Sequence, residues 1–186
     1  MIMNRLSLLL AERQLKITRV SNDTKISRTT LTSLMKNESR MIQLETINTL
    51  CLYLDVTPGD LLEFIPHNFS YHIEILEGLV YPPEEGPLTY QVEAFLNIED
   101  SDSDKWYFEY NGHLVDYGGA FSLHLEPVSA EVADIADGFF SDLPQIFQTQ
   151  IEKDFIEEVT NKIVEEFDAL FKYCDVSLSL TSKKSN

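Results

Sequence analysis

The chain has 186 residues, of which 44% are hydrophobic. No apolar run reaches the length of about 18 residues that a transmembrane helix needs, and the first residues lack the pattern of a secretion signal. The net charge of −17 is divided unevenly: residues 1–65 carry eight Lys or Arg and seven Asp or Glu, whereas residues 66–186 carry six and 24. The first part is therefore near +1 and the second near −18, which predicts two domains with different partners. The two cysteines, Cys51 and Cys174, lie far apart within apolar patterns and predict reduced thiols in a cytoplasmic protein.

Apolar residues in the first 65 positions recur at helical spacing, with Leu44 among those expected to face inward. Ser27 stands where the third helix needs an N-cap. Thr57 caps the fifth, with Pro58 in the first helical position, where a missing N–H costs nothing. The predicted helices cover residues 4–13, 17–24, 28–36 and 44–54, and a fifth follows Thr57.

The second and third predicted helices have the features of a helix-turn-helix. Ser21 is small enough for close helix approach, Lys25 occupies a tight turn, and Ile26 follows it as an apolar plug. Leu31 and Leu34 pin the third helix to the core, so that its opposite side is free to enter a major groove, where each base pair shows a distinct pattern of donors and acceptors. The outward residues are Arg28, Thr29, Thr32 and Ser33.

Residues 3–65 resemble the Cro/repressor-type (Xre) helix-turn-helix family. The resemblance is carried by four segments in order: LLAER at 9–13, KISRTTL at 25–31, LETI at 44–47 and LDVTPGDLL at 54–62. It implies double-stranded DNA as partner, with Arg28, Thr29 and Ser33 at base-reading positions and Lys36 and Arg40 at backbone-contacting positions. With the outward Thr32 and the turn residues added, the predicted base readers are Arg28, Thr29, Thr32 and Ser33, and the predicted phosphate contacts are Lys25, Ser27, Lys36 and Arg40.

Two positions depart from the family pattern. Ile17 stands where the family often has a phosphate-holding Gln. Lys25 stands where the family usually has Gly, so that it must take a left-handed conformation at a cost of about 1 kcal/mol. Both departures predict a modest affinity for DNA.

After a predicted linker at residues 66–70, the apolar period changes from 3.6 to 2. Alternating segments around residues 71–75, 88–98, 106–110 and 121–125 predict an antiparallel meander, with turns that include Asn111-Gly112 and Gly118-Gly119. Helical periodicity then returns after Ser129 and continues in a long amphipathic helix, before a short final strand near residues 176–180. The predicted fold is a five-helix helix-turn-helix domain (residues 1–65) followed by an α+β domain (residues 71–181) and a tail (residues 182–186).

The long helix carries one apolar stripe, which can either cover the open face of the sheet or form part of a dimer interface. The stripe consists of Phe147, Ile151, Phe155, Val159, Ile163, Phe167, Leu170 and Phe171.

The sequence offers no catalytic constellation, no metal-ligand spacing among its four histidines, and no sign of a cofactor or of membrane binding. The leading hypothesis is a homodimeric transcriptional regulator of phage or mobile-element type, a repressor or autoregulator. The alternative is an anti-CRISPR-like inhibitor or an antitoxin, whose acidic C-terminal domain binds a nuclease or toxin while the helix-turn-helix autoregulates. The alternative rests on the arrangement of a helix-turn-helix domain before an acidic domain, and not on a sequence match.

Overall fold

The computed structural model describes residues 1–39, 41–76, 86–102, 104–167 and 172–181. The chain divides into two compact units, Met1–Pro66 and His67–Asn186. Arg40 and the predicted tail at residues 182–186 lie outside the described residues.

The first unit is helical, with one small sheet. Its two strands are antiparallel and place Ile2 opposite Phe64. The sheet was not predicted, because each strand has three residues and no alternating pattern develops over so short a length. The elements are β1 (Ile2–Asn4), α1 (Leu6–Glu12), α2 (Ile17–Thr24), α3 (Arg28–Met35), α4 (Leu44–Leu54), α5 (Pro58–Leu61) and β2 (Leu62–Phe64).

Three details of the first unit correct the sequence prediction. Asn4 lies in β1, so α1 begins only at Leu6. Helix α5 has a single turn, because Leu62 turns extended and pairs with Asn4. Leu44 is 82% exposed and does not face inward, since it lies at the first position of α4.

The α5 turn itself follows the predicted capping. Thr57 Oγ1 accepts a hydrogen bond from the Asp60 backbone N–H at 3.3 Å, and the Asp60 carboxylate accepts from the Thr57 N–H at 2.8 Å. The Thr57 hydroxyl also donates to this carboxylate, at 2.6 Å, and the hydrogen bonds from the Thr57 hydroxyl and N–H lower the pKa of Asp60. The core beneath is apolar, and its fully buried members include Leu6, Leu10, Val20, Leu31, Leu50 and Leu61.

The second unit is a five-stranded sheet with two helices. The order across the sheet follows the chain, and the first four strands are antiparallel neighbours, as predicted for a meander. The last strand is parallel to its neighbour, an orientation that the sequence left open. The reason is that two helices intervene and carry the chain back before it re-enters the sheet. The strands are β3 (His67–Leu76), β4 (Leu88–Asp100), β5 (Lys105–Asp116), β6 (Ala120–Pro127) and β7 (Tyr173–Leu178).

Two predicted irregular segments are strand in the structure. Residues 67–70 of the predicted linker pair with β4, with Phe69 opposite Ile98. Asn111-Gly112 is a local turn signal, yet it lies inside β5, and Gly112 is opposite Val92 and Leu125. A Cβ at Gly112 would lie 2.2 Å from the His124 carbonyl oxygen, so the glycine permits the close approach of β6. The pairing along the strands outweighs the local preference.

The predicted turn at Gly118-Gly119 is present. Both glycines have positive φ, 80° and 90°, a conformation that L side chains rarely adopt. The Asp116 carboxylate accepts hydrogen bonds from both backbone N–H groups, at 2.8 and 2.7 Å. The turn joins β5 to β6.

Helices α6 (Ala130–Ser141) and α7 (Gln145–Phe167) pack on the sheet. Ser129 caps α6 as predicted, accepting from the Val132 N–H at 3.3 Å. On α7, Phe155 stacks on Tyr71 at a centroid distance of 5.1 Å and meets Tyr110 edge-on at 5.4 Å. The stripe therefore covers the sheet, and its fully buried members are Phe147, Ile151, Phe155, Val159 and Ile163. Leu170 and Phe171 lie outside the described residues.

Candidate nucleic-acid interface

The turn between α2 and α3 is built by backbone geometry and one threonine. Lys25 ends α2 in the left-handed region with φ of 65°, as the sequence predicts, and its N–H donates to the Ser21 carbonyl at 3.0 Å. Thr24 Oγ1 donates to the Val20 carbonyl at 2.6 Å and accepts from the Ile26 N–H at 3.3 Å. Thr24 thus closes the turn, a role that sequence reasoning missed and that a hydroxyl beside a turn could have suggested.

Ser27 fixes where α3 begins. Its hydroxyl oxygen accepts from the Thr30 backbone N–H at 3.1 Å, and the two side-chain hydroxyls are 2.8 Å apart. The cap leaves Arg28 as the first residue of the helix, where it is exposed. A cation at a helix N-terminus is unfavourable with respect to the helix dipole, so an anion nearby would stabilise it.

Leu31 and Leu34 hold α3 to the core at 0% and 4% exposure. Residues three or four positions apart share a side of a helix, so Leu31 and Leu34 lie on the core side and leave the opposite side of α3 to polar residues. The predicted base readers lie on that side, Arg28 and Thr29 exposed and Thr32 and Ser33 half-buried.

The basic residues near α3 differ in their partners. Lys25 Nζ donates to the Asn22 carbonyl at 2.8 Å, and Lys36 Nζ lies 3.8 Å from Glu38 Oε1 in an exposed pair that contributes little in water. Within the described part of the chain, Arg28 has no ion pair. Its charge is therefore available to an external acceptor.

The arginines on the other helices are engaged elsewhere in the first unit. Arg19 Nε lies 3.7 Å from Asp23 Oδ2, which also accepts a hydrogen bond from Tyr53 OH at 2.8 Å. That hydrogen bond raises the pKa of Tyr53. Arg5 lies 3.8 Å from Glu63, and Arg13 donates to the Leu9 carbonyl at 3.3 Å. The Tyr53–Asp23 bond links α4 to α2, and the Arg5–Glu63 pair links the start of α1 to β2.

A polar groove of about 470 Å³ adjoins the turn. Lys25, Ser27 and Thr30 line one part of it, and Gln43 and Thr46 at the start of α4 line another. Ile17, by contrast, packs against the core and offers no donor to a phosphate. The groove therefore presents polar side chains beside the turn, whereas Ile17 at the start of α2 does not.

The end of α3 is held by a pair of asparagines that sequence reasoning did not single out. Asn4 is 8% exposed, and its amide donates to the Leu34 carbonyl at 2.7 Å and to Asn37 Oδ1 at 2.6 Å. Asn37 has φ of 56° and donates back to the Asn4 carbonyl at 3.3 Å. The only sequence signal is that asparagine tolerates the left-handed region after a helix.

The helix-turn-helix geometry agrees with a comparison of the sequence with known families. Residues 5–67, about a third of the chain, match the model of the Cro/C1-type HTH DNA-binding domain. Residues 5–67 are a Cro/C1-type domain. The matched segment contains the turn, α3 and the capped α5.

One solved structure is also similar, that of a candidate DNA-binding protein from Bacteroides fragilis. The match has 25% sequence identity, covers 34% of this chain and 100% of that chain, and has a TM-score of 0.32. No curated protein matches the chain.

The second unit presents a polar sheet face on the side away from its buried row. On β4 the buried side chains Val92, Ala94, Leu96 and Ile98 alternate with half-buried or exposed ones that point the other way. Each strand contributes a carboxylate to this second row, which includes Glu74, Glu93, Glu99, Glu109, Glu126 and Asp175.

In the described ranges, no group of three or more His, Cys, Asp or Glu side chains is arranged to hold a metal ion. Among the described helices, none combines the length and the apolar character of a membrane span.

Proposed function

We propose that this protein is a sequence-specific transcriptional regulator that binds double-stranded DNA as a homodimer. The observation that supports it is the Cro/C1-type domain, in which α3 is pinned by Leu31 and Leu34 and presents Arg28 without an ion pair among the described residues. A repressor or autoregulator encoded by a phage or mobile element is the specific form that we infer, since a small DNA-binding domain joined to a second unit suits control of a nearby promoter.

The proposed base readers are Arg28, Thr29, Thr32 and Ser33. Arg28 has the length and the planar donor fork to reach guanine O6 and N7, and Thr29 offers a methyl group to thymine. Thr32 and Ser33 lie one turn further along the same side and offer hydroxyls to the next base edges.

The proposed phosphate contacts flank these residues. Lys25 and Ser27 line the polar groove before α3, and Lys36 follows its last turn. Arg40, outside the described residues, extends this set. Such contacts fix the register of the helix on DNA and carry no sequence information directly.

Selection from a randomised duplex pool tests the proposal. We expect enrichment of a twofold-symmetric site, and binding to that site at physiological salt should exceed binding to unrelated DNA by at least about 10³-fold. Arg13→Ala serves as a control. Arg13 donates to the Leu9 carbonyl of α1, so the variant should select the same site as the wild type. Enrichment of no sequence would contradict the proposal.

We also propose a second candidate function, in which the acidic unit binds a basic protein such as a nuclease or toxin while the first unit autoregulates. The net charge of about −18 on residues 66–186 and the carboxylates of the uncovered sheet face favour it.

Calorimetry against the purified product of each neighbouring gene tests this candidate. Binding should be lost in a Glu93→Gln/Glu109→Gln/Glu126→Gln variant and retained in Glu12→Gln, which changes a charge in the first unit. Equal binding by both variants would contradict a role for the sheet face.

A further inference from the structure

The outer edge of β3 lacks the features that usually keep an edge strand from pairing with another chain. β3 has ten residues, and among the described residues it pairs with β4 alone, along its whole length and without a bulge. Its outer side therefore presents a row of backbone donors and acceptors. Natural edge strands are commonly guarded by Lys, Pro or a bulge, and β3 has none of these, with Glu74 as its one acidic residue.

The core-facing row of β3 is also incompletely covered. Phe69, Tyr71, Ile73 and Ile75 are half-buried, whereas their cross-strand partners on β4 are at most 1% exposed. Another strand added to this edge would complete the burial of an aromatic and β-branched row.

We propose that the occupant of this edge is β3 of a second copy, paired antiparallel about a twofold axis at His72. This inference rests on the proposed function, in which two copies bind one operator. A twofold axis perpendicular to the sheet keeps both helix layers on one side and requires that residues of the same face oppose each other. With His72 opposite His72, residues 68–76 of the two copies overlap.

The side chains complement one another in this register. On the helix side, Tyr71 faces Ile73 of the second copy and Phe69 faces Ile75, so four aromatic–β-branched pairs form, a favourable class of cross-strand pair. On the other side, Glu74 faces Ser70 and not a second carboxylate. The other edge, β7, has only six residues and carries the exposed Asp175.

Cysteine cross-linking tests the register directly. Opposite residues of an antiparallel pair have Cα atoms about 4.5–5.5 Å apart, within the range that a disulfide bridges. Mild oxidation of His72→Cys should therefore give a covalent dimer on non-reducing gels. Ser122→Cys, exposed on β6, and the wild-type chain with its own Cys51 and Cys174 should give none.

Charge variants test the edge without a covalent bond. Ser70→Glu places a carboxylate opposite Glu74 twice, so the dimer dissociation constant in sedimentation equilibrium should rise by about tenfold or more. Ser70→Lys should dimerise as well as the wild type or better, and Ser122→Glu should leave dimerisation within about twofold. The inference would be overturned if the wild type were monomeric at about tens of micromolar. It would also be overturned if Ser70→Glu left the dimer dissociation constant unchanged and His72→Cys gave no covalent dimer.

The two proposals fail in different ways. A dimer that selects a DNA sequence but neither cross-links through His72→Cys nor weakens with Ser70→Glu overturns the β3 register alone. A dimer that cross-links through His72→Cys and selects no DNA overturns the proposed regulator alone.

Discussion

Asn4 and Asn37 are joined by reciprocal hydrogen bonds that tie the first strand to the end of the recognition helix α3. Asn37 Oδ1 accepts from both the Asn4 backbone N–H and the Asn4 side-chain amide, at 2.9 and 2.6 Å, and Asn37 Nδ2 donates to the Asn4 carbonyl at 3.3 Å. The Asn4 side-chain oxygen also accepts from the Leu6 N–H at 3.1 Å. One buried amide therefore connects β1, α1 and α3.

Asn4→Ala should destabilise the first unit by about 1–3 kcal/mol, because the Leu34 carbonyl and the Asn37 amide lose their buried partner. Urea unfolding followed by far-UV circular dichroism measures the loss. The exposed Asn22→Ala on α2 is the matched control and should change stability by less than about 0.5 kcal/mol. Equal stability of Asn4→Ala and wild type would show that the network contributes nothing.

Gly112→Ala should destabilise the second unit by about 1–3 kcal/mol, because its Cβ would meet the His124 carbonyl oxygen at 2.2 Å and force β5 and β6 apart. Trp106, the single tryptophan, reports this unfolding by fluorescence. Gly138→Ala is the counterpart: it lies exposed in α6 with open space around its Cβ, and should stabilise by about 0.5–1 kcal/mol. A neutral Gly112→Ala would contradict the close approach of the two strands.

Asp154→Asn should raise the melting temperature at pH 7. Burial raises the pKa of the Asp154 carboxyl, and the neighbouring Glu157 adds to this, while the hydrogen bond from Gln150 opposes it. The folded state therefore binds this proton more tightly than the unfolded chain, so the charge destabilises the fold above the raised pKa and the penalty disappears below the ordinary value near 3.8.

Melting curves of Asp154→Asn and wild type at about pH 7 and about pH 3.5 test whether the Asp154 charge destabilises the fold. The advantage of Asp154→Asn over wild type should shrink at the lower pH. The exposed Asp134→Asn on α6 removes the same charge without burial and serves as control. An advantage of the same size for both variants would assign the effect to net charge and not to burial.

Lys36→Ala should weaken DNA binding similarly for preferred and unrelated sequences. Loss of one phosphate contact lowers the slope of log affinity against log salt by about 1. Fluorescence anisotropy at about 50 to 200 mM salt measures this slope, because the affinity for DNA changes strongly over that range. A loss confined to the preferred sequence would instead make Lys36 a base reader.

Much of the first unit could be predicted because its signals are local. The positive φ at Lys25, the Ser27 cap and the burial of Leu31 and Leu34 all follow from a few neighbouring residues. The β1–β2 pair and the Asn4–Asn37 bonds could not be predicted, since they join positions that are far apart in sequence.

The second unit shows the same division. Alternation predicted the strands, and the apolar stripe predicted the buried face of α7. The parallel addition of β7 depends on how far two helices carry the chain, and the strand at Gly112 depends on partners in β4 and β6. Neither the parallel pairing of β7 nor the strand conformation at Gly112 can be predicted from neighbouring residues alone. Which bases or partners the surfaces bind stays a prediction for the same reason.

We propose above all that α3 reads DNA bases through Arg28 and Ser33. The most direct test is the affinity of wild type, Arg28→Ala, Ser33→Ala and Arg13→Ala for the selected duplex and for a duplex altered at single base pairs. We expect Arg28→Ala to lose about 1–3 kcal/mol, roughly 5- to 150-fold, and to lose discrimination at one guanine position. Ser33→Ala should lose less, and Arg13→Ala should bind as wild type does. Unchanged affinity and unchanged base preference in both Arg28→Ala and Ser33→Ala would contradict the account.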